Sequence, residues 1–331
     1  MAKIIRWGIL GCGRIARKFA SDLRLVQDAE LTALGSRNRE TAEAFAKDFP
    51  AKNIHISYEA LVNDAEVDVI YIATPHNFHH EHTMLCLQHN KAVLCEKPFA
   101  INAKQSREMI AVARKRNVFL MEALWSKFLP HYNKMQQMIR SGMVGEIKSV
   151  LIQFGFKPVP PIPARIFDPA LAGGTMLDIG IYNVFFALSV LGKPDFIDAV
   201  MTPASTGIDE QCAVTFRYRN GALAQLFSSF SSNLATEADI SGTQGRIRLA
   251  HRFYAPDTTI EYYTDKPDSR EIIPVDKEEG WGYQYQARHV CECLRNGLTE
   301  STVMSFADTL LLIETLDAIR EKAGIIYDAD K

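Results

Sequence analysis

The sequence predicts an α/β protein: an N-terminal doubly wound parallel sheet, then an α+β domain built on a large, mostly antiparallel, open-faced sheet. Three observations lead there. Short apolar runs alternate with helical segments over residues 1–123, the pattern of a parallel sheet covered by helices. A glycine-rich turn, Gly11-Cys12-Gly13, joins the first of these runs to the first helix. From Asp195 to Val275 the pattern changes to alternating runs split by turn residues, with Asn220-Gly221 as a hairpin signal. The 331 residues exceed one ordinary domain and suit two, divided as 1–123 and 124–331.

Taken in order, residues 3–10 form an apolar strand, 11–25 a turn and helix, 31–35 a second strand and 39–49 a helix. The apolar run 67–73 is a strand, 78–89 a helix, 92–95 a strand, 103–116 a helix and 118–122 the last strand of this half. Residues 130–142 read as a helix and 147–156 as a long apolar strand, followed by a loop carrying Pro158, Pro160, Pro161, Pro163 and Pro169. A helix over 175–191 takes Thr175 as its N-cap, Asp178 as a weak capping-box partner, and Gly192 and Pro194 as its stop. Helices over 283–295 and 305–323 complete the pattern. No repeat or low-complexity linker is present, so the boundary near 122–125 lacks a floppy hinge.

Composition narrows the partners. The formal net charge is −2, with 37 basic and 39 acidic residues in no strong block, so neither nucleic acid nor an anionic membrane is recruited by charge. The segment from Lys3 to Trp7 is too short and broken for a leader. No apolar stretch reaches the roughly 18 residues of a membrane span; the longest candidate, 184–191, is far shorter. The cysteines Cys12, Cys86, Cys95, Cys212, Cys291 and Cys293 contain no C-x-x-C pair and read as reduced thiols of a cytoplasmic protein.

The turn Gly11-x-Gly13-x-x-Ala16 has dinucleotide-binding chemistry. Gly11 permits the tight turn, Gly13 lets backbone approach a pyrophosphate, and Ala16 allows helix and strand to pack closely. Free N–H groups of Cys12, Gly13, Arg14 and Ile15 face the phosphates at the helix start. An NAD site usually carries an acidic residue after the second strand. Here Gly35-Ser36-Arg37-Asn38-Arg39 has none, and a small Ser36 beside Arg37 suits a 2′-phosphate, so NADP is expected over NAD.

Four segments converge on the catalytic expectation: Thr74-Pro75-His76-Asn77-Phe78-His79, Glu96-Lys97-Pro98, Glu122-Ala123-Leu124-Trp125, and the helix carrying Asp178 and Tyr182. The first three follow strands, at the sheet edge where ligands bind in such folds. Oxidising an alcohol needs a base for the hydroxyl proton while hydride leaves. A free tyrosine titrates near 10, and a neighbouring ammonium favours its phenolate. Asp178 and Tyr182, four apart, share a helix face; Asp178 orients substrate or Lys97, or caps the helix dipole. His76, His79, His80 and His82 cluster within one segment, which lacks the separate mixed ligand set of a zinc dehydrogenase, so no metal is expected and His80 and His82 are placed on the helix surface. Trp125, Phe154 and Phe156 are candidate pocket walls, Phe156 equally a core residue, and Trp281 and Tyr283 candidates to close the pocket.

These motifs, with Gly173-Gly174 ahead of Asp178-x-Gly180-x-Tyr182, resemble the glucose–fructose oxidoreductase (Gfo/Idh/MocA) family over nearly the whole chain, and within it the dimeric dihydrodiol dehydrogenases. The resemblance implies a Rossmann domain and NADP-dependent oxidation of aldopyranoses, related polyols or aromatic trans-dihydrodiols. It implies Lys97 and Tyr182 as the catalytic pair, His79 against substrate or nicotinamide, Glu96 structural or beside the nicotinamide, and a cis Lys97–Pro98 bond. It also implies a homodimer or tetramer formed through the C-terminal sheet. Many family members carry His where this chain has Tyr182, which argues against the cyclitol branch. The competing reading is a non-catalytic NADP-binding sensor, which would not need both Lys97 and Tyr182. The expected site exists only if the two domains meet.

Overall fold

The computed structural model describes residues 3–264, 266 and 269–331. Two compact units emerge: 1–128 with 278–310, and 129–277 with 311–331. Strands of the first unit are β1 Ile5–Leu10, β2 Ala29–Gly35, β3 Asn53–His55, β4 Val69–Ile72, β5 Ala92–Glu96 and β6 Leu120–Ala123. They pair in parallel in the order β3-β2-β1-β4-β5-β6. Order reversal at β1/β4 is the switch point at which such sheets bind nucleotides. Helices α1 Arg14–Leu23, α2 Arg39–Asp48, α3 Tyr58–Val62, α4 His79–Gln88 and α5 Ala103–Arg116 connect the strands. Every residue of β4, β5 and β6 is buried, as expected where helices cover both faces of a sheet.

The second unit has α6 Pro130–Arg140, β7 Ile147–Gly155, α7 Ile181–Leu191, β8 Phe196–Pro203, β9 Asp209–Arg217, β10 Leu223–Ser229, β11 Ala238–Gly242, β12 Gly245–Ala250, β13 Thr259–Thr264 and β14 Glu271–Ile273. Its sheet runs β14-β13-β12-β11-β7-β10-β9-β8, antiparallel except for the β7–β10 pair. The hairpin expected at Asn220-Gly221 joins β9 to β10, with Gly221 at φ +86° and Tyr218 N donating to Ala222 O at 3.1 Å. Along β7 the burial alternates: Val150, Ile152 and Phe154 turn to the helix-covered face, while Leu151 turns to the open one.

Three details depart from the sequence reading. First, the domains are not contiguous. Helix α8 Tyr283–Arg295 packs on α1, and Phe306, at the start of α9 Phe306–Ala323, joins the first unit's core. Asp22 fixes the return, accepting from Trp281 N at 2.9 Å and Tyr283 N at 2.8 Å. Second, the segment before α7 is a π-helical turn, Met176–Gly180, not regular α-helix, and Thr175 provides no side-chain cap. Third, the helical run Pro169–Leu191 is long and apolar enough to cross a membrane by composition, although no contiguous apolar string reveals it. Within its most apolar window 83% is buried, so it is the core helix against which the sheet packs.

Candidate active site

The residues expected to hold a dinucleotide sit on the carboxyl ends of β1 and β2. Gly11 adopts φ +96° and donates to Gly35 O at 2.9 Å, which closes the turn against β2. Gly13 precedes α1 and offers no side-chain cap; a Cβ built there meets no atom within 4 Å. That open approach beside Arg14 and Ile15, with the first N–H groups of α1 unspent, fits a pyrophosphate. Ala16 is fully buried, as close helix–strand packing requires. Cys12 is nearly buried, its Sγ 3.8 Å from Gly35 O, and burial pushes its thiol up to about 11. It is therefore an inert packing group.

After β2, the Ser36 hydroxyl donates to Asn38 O at 3.0 Å and accepts from Asn38 N at 3.2 Å. Ser36 thus shapes the turn, while Arg37 carries the charge. The Arg37 guanidinium lies 5.6 Å from the Tyr58 ring centre and 5.4 Å from that of Phe78, a cation–π arrangement that restrains it. Arg39 pairs with Glu43 on α2 and is a surface charge.

The Thr74–His79 segment differs from expectation at its histidines. His79 is fully buried, with Nδ1 2.7 Å from Pro98 O and Nε2 2.8 Å from Thr74 O. Both ring nitrogens are occupied by backbone, so His79 ties the Thr74-Pro75 loop to the Pro98 turn and presents no surface to a ligand. Burial holds its imidazole below the usual histidine range, against the two carbonyls that favour the protonated ring. His82 is also buried rather than on the helix surface: it stacks on Phe78, meets Tyr58 edge-on, and lies 3.0 Å from Thr74 Oγ1. Burial lowers its pKa to about 4. His80 is half-buried, its Nε2 3.0 Å from Glu108 Oε2. His76 is buried edge-on to His79. Among the described residues no three His, Cys, Asp or Glu side chains are grouped to hold a metal.

At the end of β5, the Lys97–Pro98 bond is cis. Glu96 is buried; it accepts from the Tyr71 hydroxyl with one oxygen and from Lys97 N at 3.2 Å with the other. Burial pushes its carboxyl up to about 7, opposed by the Tyr71 hydroxyl and the Lys97 charge. Glu122, beside Cys95 in the β5–β6 register, accepts from Phe99 N at 3.1 Å and is likewise raised to about 7 by burial. Trp125 lies flat on Tyr283, ring centres 4.6 Å apart at 6°, so both are buried packing partners. Trp281 is half exposed, with the Lys18 ammonium 4.1 Å over its ring.

In the second unit, Tyr182 begins α7 and is almost wholly buried against aromatic rings: Tyr254 at 4.9 Å and Phe154 at 6.0 Å, which stack on each other at 4.4 Å. Phe156, half-buried, meets Phe230 edge-on at 5.2 Å. Asp178 lies inside the π-helical turn that runs into α7. Its carboxylate accepts from Arg165 Nη1 at 3.1 Å. Sequence reasoning missed Arg165 and Tyr254. Adjacent aromatics at Phe253-Tyr254, in a stretch outside any strand, were the signal available for one; for Arg165 the only signal was a lone cation in the proline-rich loop.

Residues 5–124 match the model of the oxidoreductase family with an NAD-binding Rossmann fold, and residues 132–248 match its GFO/IDH/MocA C-terminal domain. The chain belongs to the GFO/IDH/MocA oxidoreductase family. Trans-1,2-dihydrobenzene-1,2-diol dehydrogenase of Mus musculus is 38% identical over 333 residues, covering 99% of both chains. That of Homo sapiens is 36% identical over 333 residues with the same coverage. Among solved structures, a 3-ketoreductase from Actinomadura kijaniata in complex with NADP and TDP-benzene superposes with a TM-score of 0.87 at 26% identity, covering 98% of this chain and 99% of that one. Aldose-aldose oxidoreductase from Caulobacter crescentus, at 23% identity, shares the fold, with a TM-score of 0.88 and coverage of 97% and 98%. This family member is an NAD(P)-dependent oxidoreductase.

Proposed function

We propose that the chain transfers hydride between NADP and a secondary alcohol or carbonyl of an aldopyranose or related polyol. The observation that carries this reading is the open glycine turn at Gly13, followed at the end of β2 by Arg37 in place of a carboxylate. NADP supplies the redox chemistry when bound. The roles assigned to the chain are acid–base: Tyr182 takes the hydroxyl proton in oxidation and returns it in reduction, and Lys97 supplies the positive charge that favours the phenolate and steadies the substrate oxygen. Thr74, Pro75 and His76 are placed on the nicotinamide side, with Glu96 behind Lys97. Asp178, paired with Arg165, is a substrate-orienting group.

An aromatic trans-dihydrodiol is the second substrate reading. The stacked rings of Phe154 and Tyr254 beside Tyr182 suit an arene face, and dihydrodiol dehydrogenases are among the relatives. A panel of aldopyranoses, polyols and trans-dihydrodiols with NADP and NAD, followed at 340 nm, separates the two readings. Turnover of none of them would favour the sensor.

The open face of the second sheet is proposed as a homodimer surface. A hollow of about 630 Å³ lies over Leu151, Val200, Gln225 and Phe227, away from Tyr182 and Asp178. Leu151 is 51% and Val200 68% exposed, and the opposite face of the strand that carries Leu151 is buried. Exposed apolar side chains on this open face favour a second copy of the same sheet. Leu151→Lys with Val200→Lys should convert the assembly to monomer by light scattering; an unchanged mass would remove this face. A reducing, cytoplasmic setting is proposed from the six buried, unbridged cysteines.

A further inference from the structure

Between the glycine pair and Tyr182 lies a clamp that the proton chemistry does not use. Tyr327 is buried, and its hydroxyl donates to Gly173 O at 2.6 Å. Asp209, the first residue of β9, is fully buried; its Oδ2 accepts from Met176 N and from Thr175 Oγ1, each at 2.6 Å. Gly174 sits between them at φ +103°. A Cβ there would lie 2.2 Å from Asp209 Oδ1 and 3.2 Å from the Tyr327 hydroxyl. Two side chains from distant parts of the chain therefore close on the four residues Gly173–Met176 and leave no slack.

What they close on matters for Tyr182. Met176 opens the π-helical turn that runs into α7, and Tyr182 is the second residue of α7. Thr175 does not cap this helical run with its own side chain; Asp209 supplies the acceptor from β9, at the end where the helix dipole favours an anion. On the far side of Tyr182, Asn183 Nδ2 donates to Phe227 O and Ser228 Oγ, both at 3.0 Å. The Tyr182 ring is thus carried on a short stretch pinned at Gly173–Met176 and again at Asn183. Tyr327 is itself held: the Arg320 guanidinium lies 5.2 Å over its ring, Arg320 pairs with Asp317 and Asp330, and Tyr327 N donates to Asp330 Oδ2 at 2.9 Å.

We propose that Tyr327 and Asp209 are positioning residues for Tyr182, fixing the turn from which its helix starts. The proposal rests on Tyr182 being the proton carrier. Neither side chain is given a place against substrate or NADP. Their effect belongs to the alignment of the phenol, where an error of about 1 Å costs on the order of a hundredfold in rate.

The test is a double-mutant cycle on the full-length protein with NADP and the best substrate of the panel, with NADPH affinity by fluorescence and Tm for every variant. Tyr327→Phe removes only the hydroxyl. It should lower kcat about tenfold, leave KM and the NADPH Kd within about twofold, and lower kcat less than twofold further in a Tyr182→Phe background, as expected of residues acting through one group. Asp209→Asn, which keeps an acceptor oxygen, should recover most of the kcat lost in Asp209→Ala. An unchanged kcat in Tyr327→Phe, with or without a lower Tm, overturns the proposal. So does an equal loss in both backgrounds, which would leave Tyr182 as proton carrier untouched. A fully active Tyr182→Phe overturns the proton-carrier reading and this one with it.

Discussion

The Tyr71 hydroxyl donates to the Glu96 carboxylate across the parallel strands β4 and β5. Phe19 stacks on the Tyr71 ring at 3.8 Å and keeps water from that side. The carboxylate so enclosed is the one that receives the backbone N–H of Lys97, so the backbone at Lys97 is held by a buried acid whose pKa is raised to about 7.

Stability should carry the mark of that acid. Its folded-state pKa, about 7, lies above the ordinary glutamate value, so the folded protein retains a proton that the unfolded chain loses first. The contribution is present in full below the ordinary glutamate value and is lost as pH rises through 7, roughly 3 kcal/mol when complete. Glu96→Gln has nothing to lose. The Tm of Glu96→Gln relative to the parent should therefore rise between pH 5.5 and 8.5, measured by scanning calorimetry; a constant difference would rule out the raised value.

Gly13 separates folding from cofactor binding. A methyl group there meets no protein atom within 4 Å, yet it occupies the approach open to a pyrophosphate. Gly13→Ala should keep the parent Tm within about 2 °C and weaken NADPH binding at least about tenfold by fluorescence titration. Full affinity in this variant would mean that the phosphates do not approach through this turn.

Arg37 should set preference rather than binding as such. Held between Tyr58 and Phe78, its guanidinium is ordered before any phosphate arrives. Arg37→Ala should lower kcat/KM for NADP about tenfold or more and leave NAD within about twofold, since only the former has a 2′-phosphate to pair. Equal losses for both cofactors would place Arg37 elsewhere in the nucleotide site.

Lys97→Met and Tyr182→Phe should each reduce kcat by about a hundredfold or more with little change in NADPH Kd, given the size of acid–base contributions. Parent-like turnover in either variant removes that residue from the mechanism.

How much of this was legible depends on how local the cause is. The Gly11–Ala16 turn could be read because its constraints are a positive φ, an open Cβ position and a small packing residue within six positions. Helix α5 could be read because Asn102 caps it by accepting from Gln105 N at 3.0 Å. Strand β3 could not: it is three residues at the sheet edge whose one apolar side chain, Ile54, is exposed. Helix α3, five residues long, has too few turns to show a period. His82 was expected on the surface because polarity suggests one, and His79 against a ligand, whereas His79 finds both ring partners in backbone carbonyls that no sequence pattern marks. Thr175 looks like a cap, but the acceptor is Asp209, 33 residues beyond Met176.

The return of residues 278–310 to the first unit bears on the order in which the protein is made. Asp22 waits for the N–H groups of Trp281 and Tyr283, Arg295 reaches back to the carbonyls of Lys3 and Asp28, and Leu120 N takes Thr299 O at 3.2 Å. A ribosome that has delivered the glycine turn and all six parallel strands has still not delivered the helix that covers α1. The nucleotide-binding half is therefore complete only once residues 278–310 have been made. Until then the side of α1 that α8 covers is left bare, a surface open to misassembly.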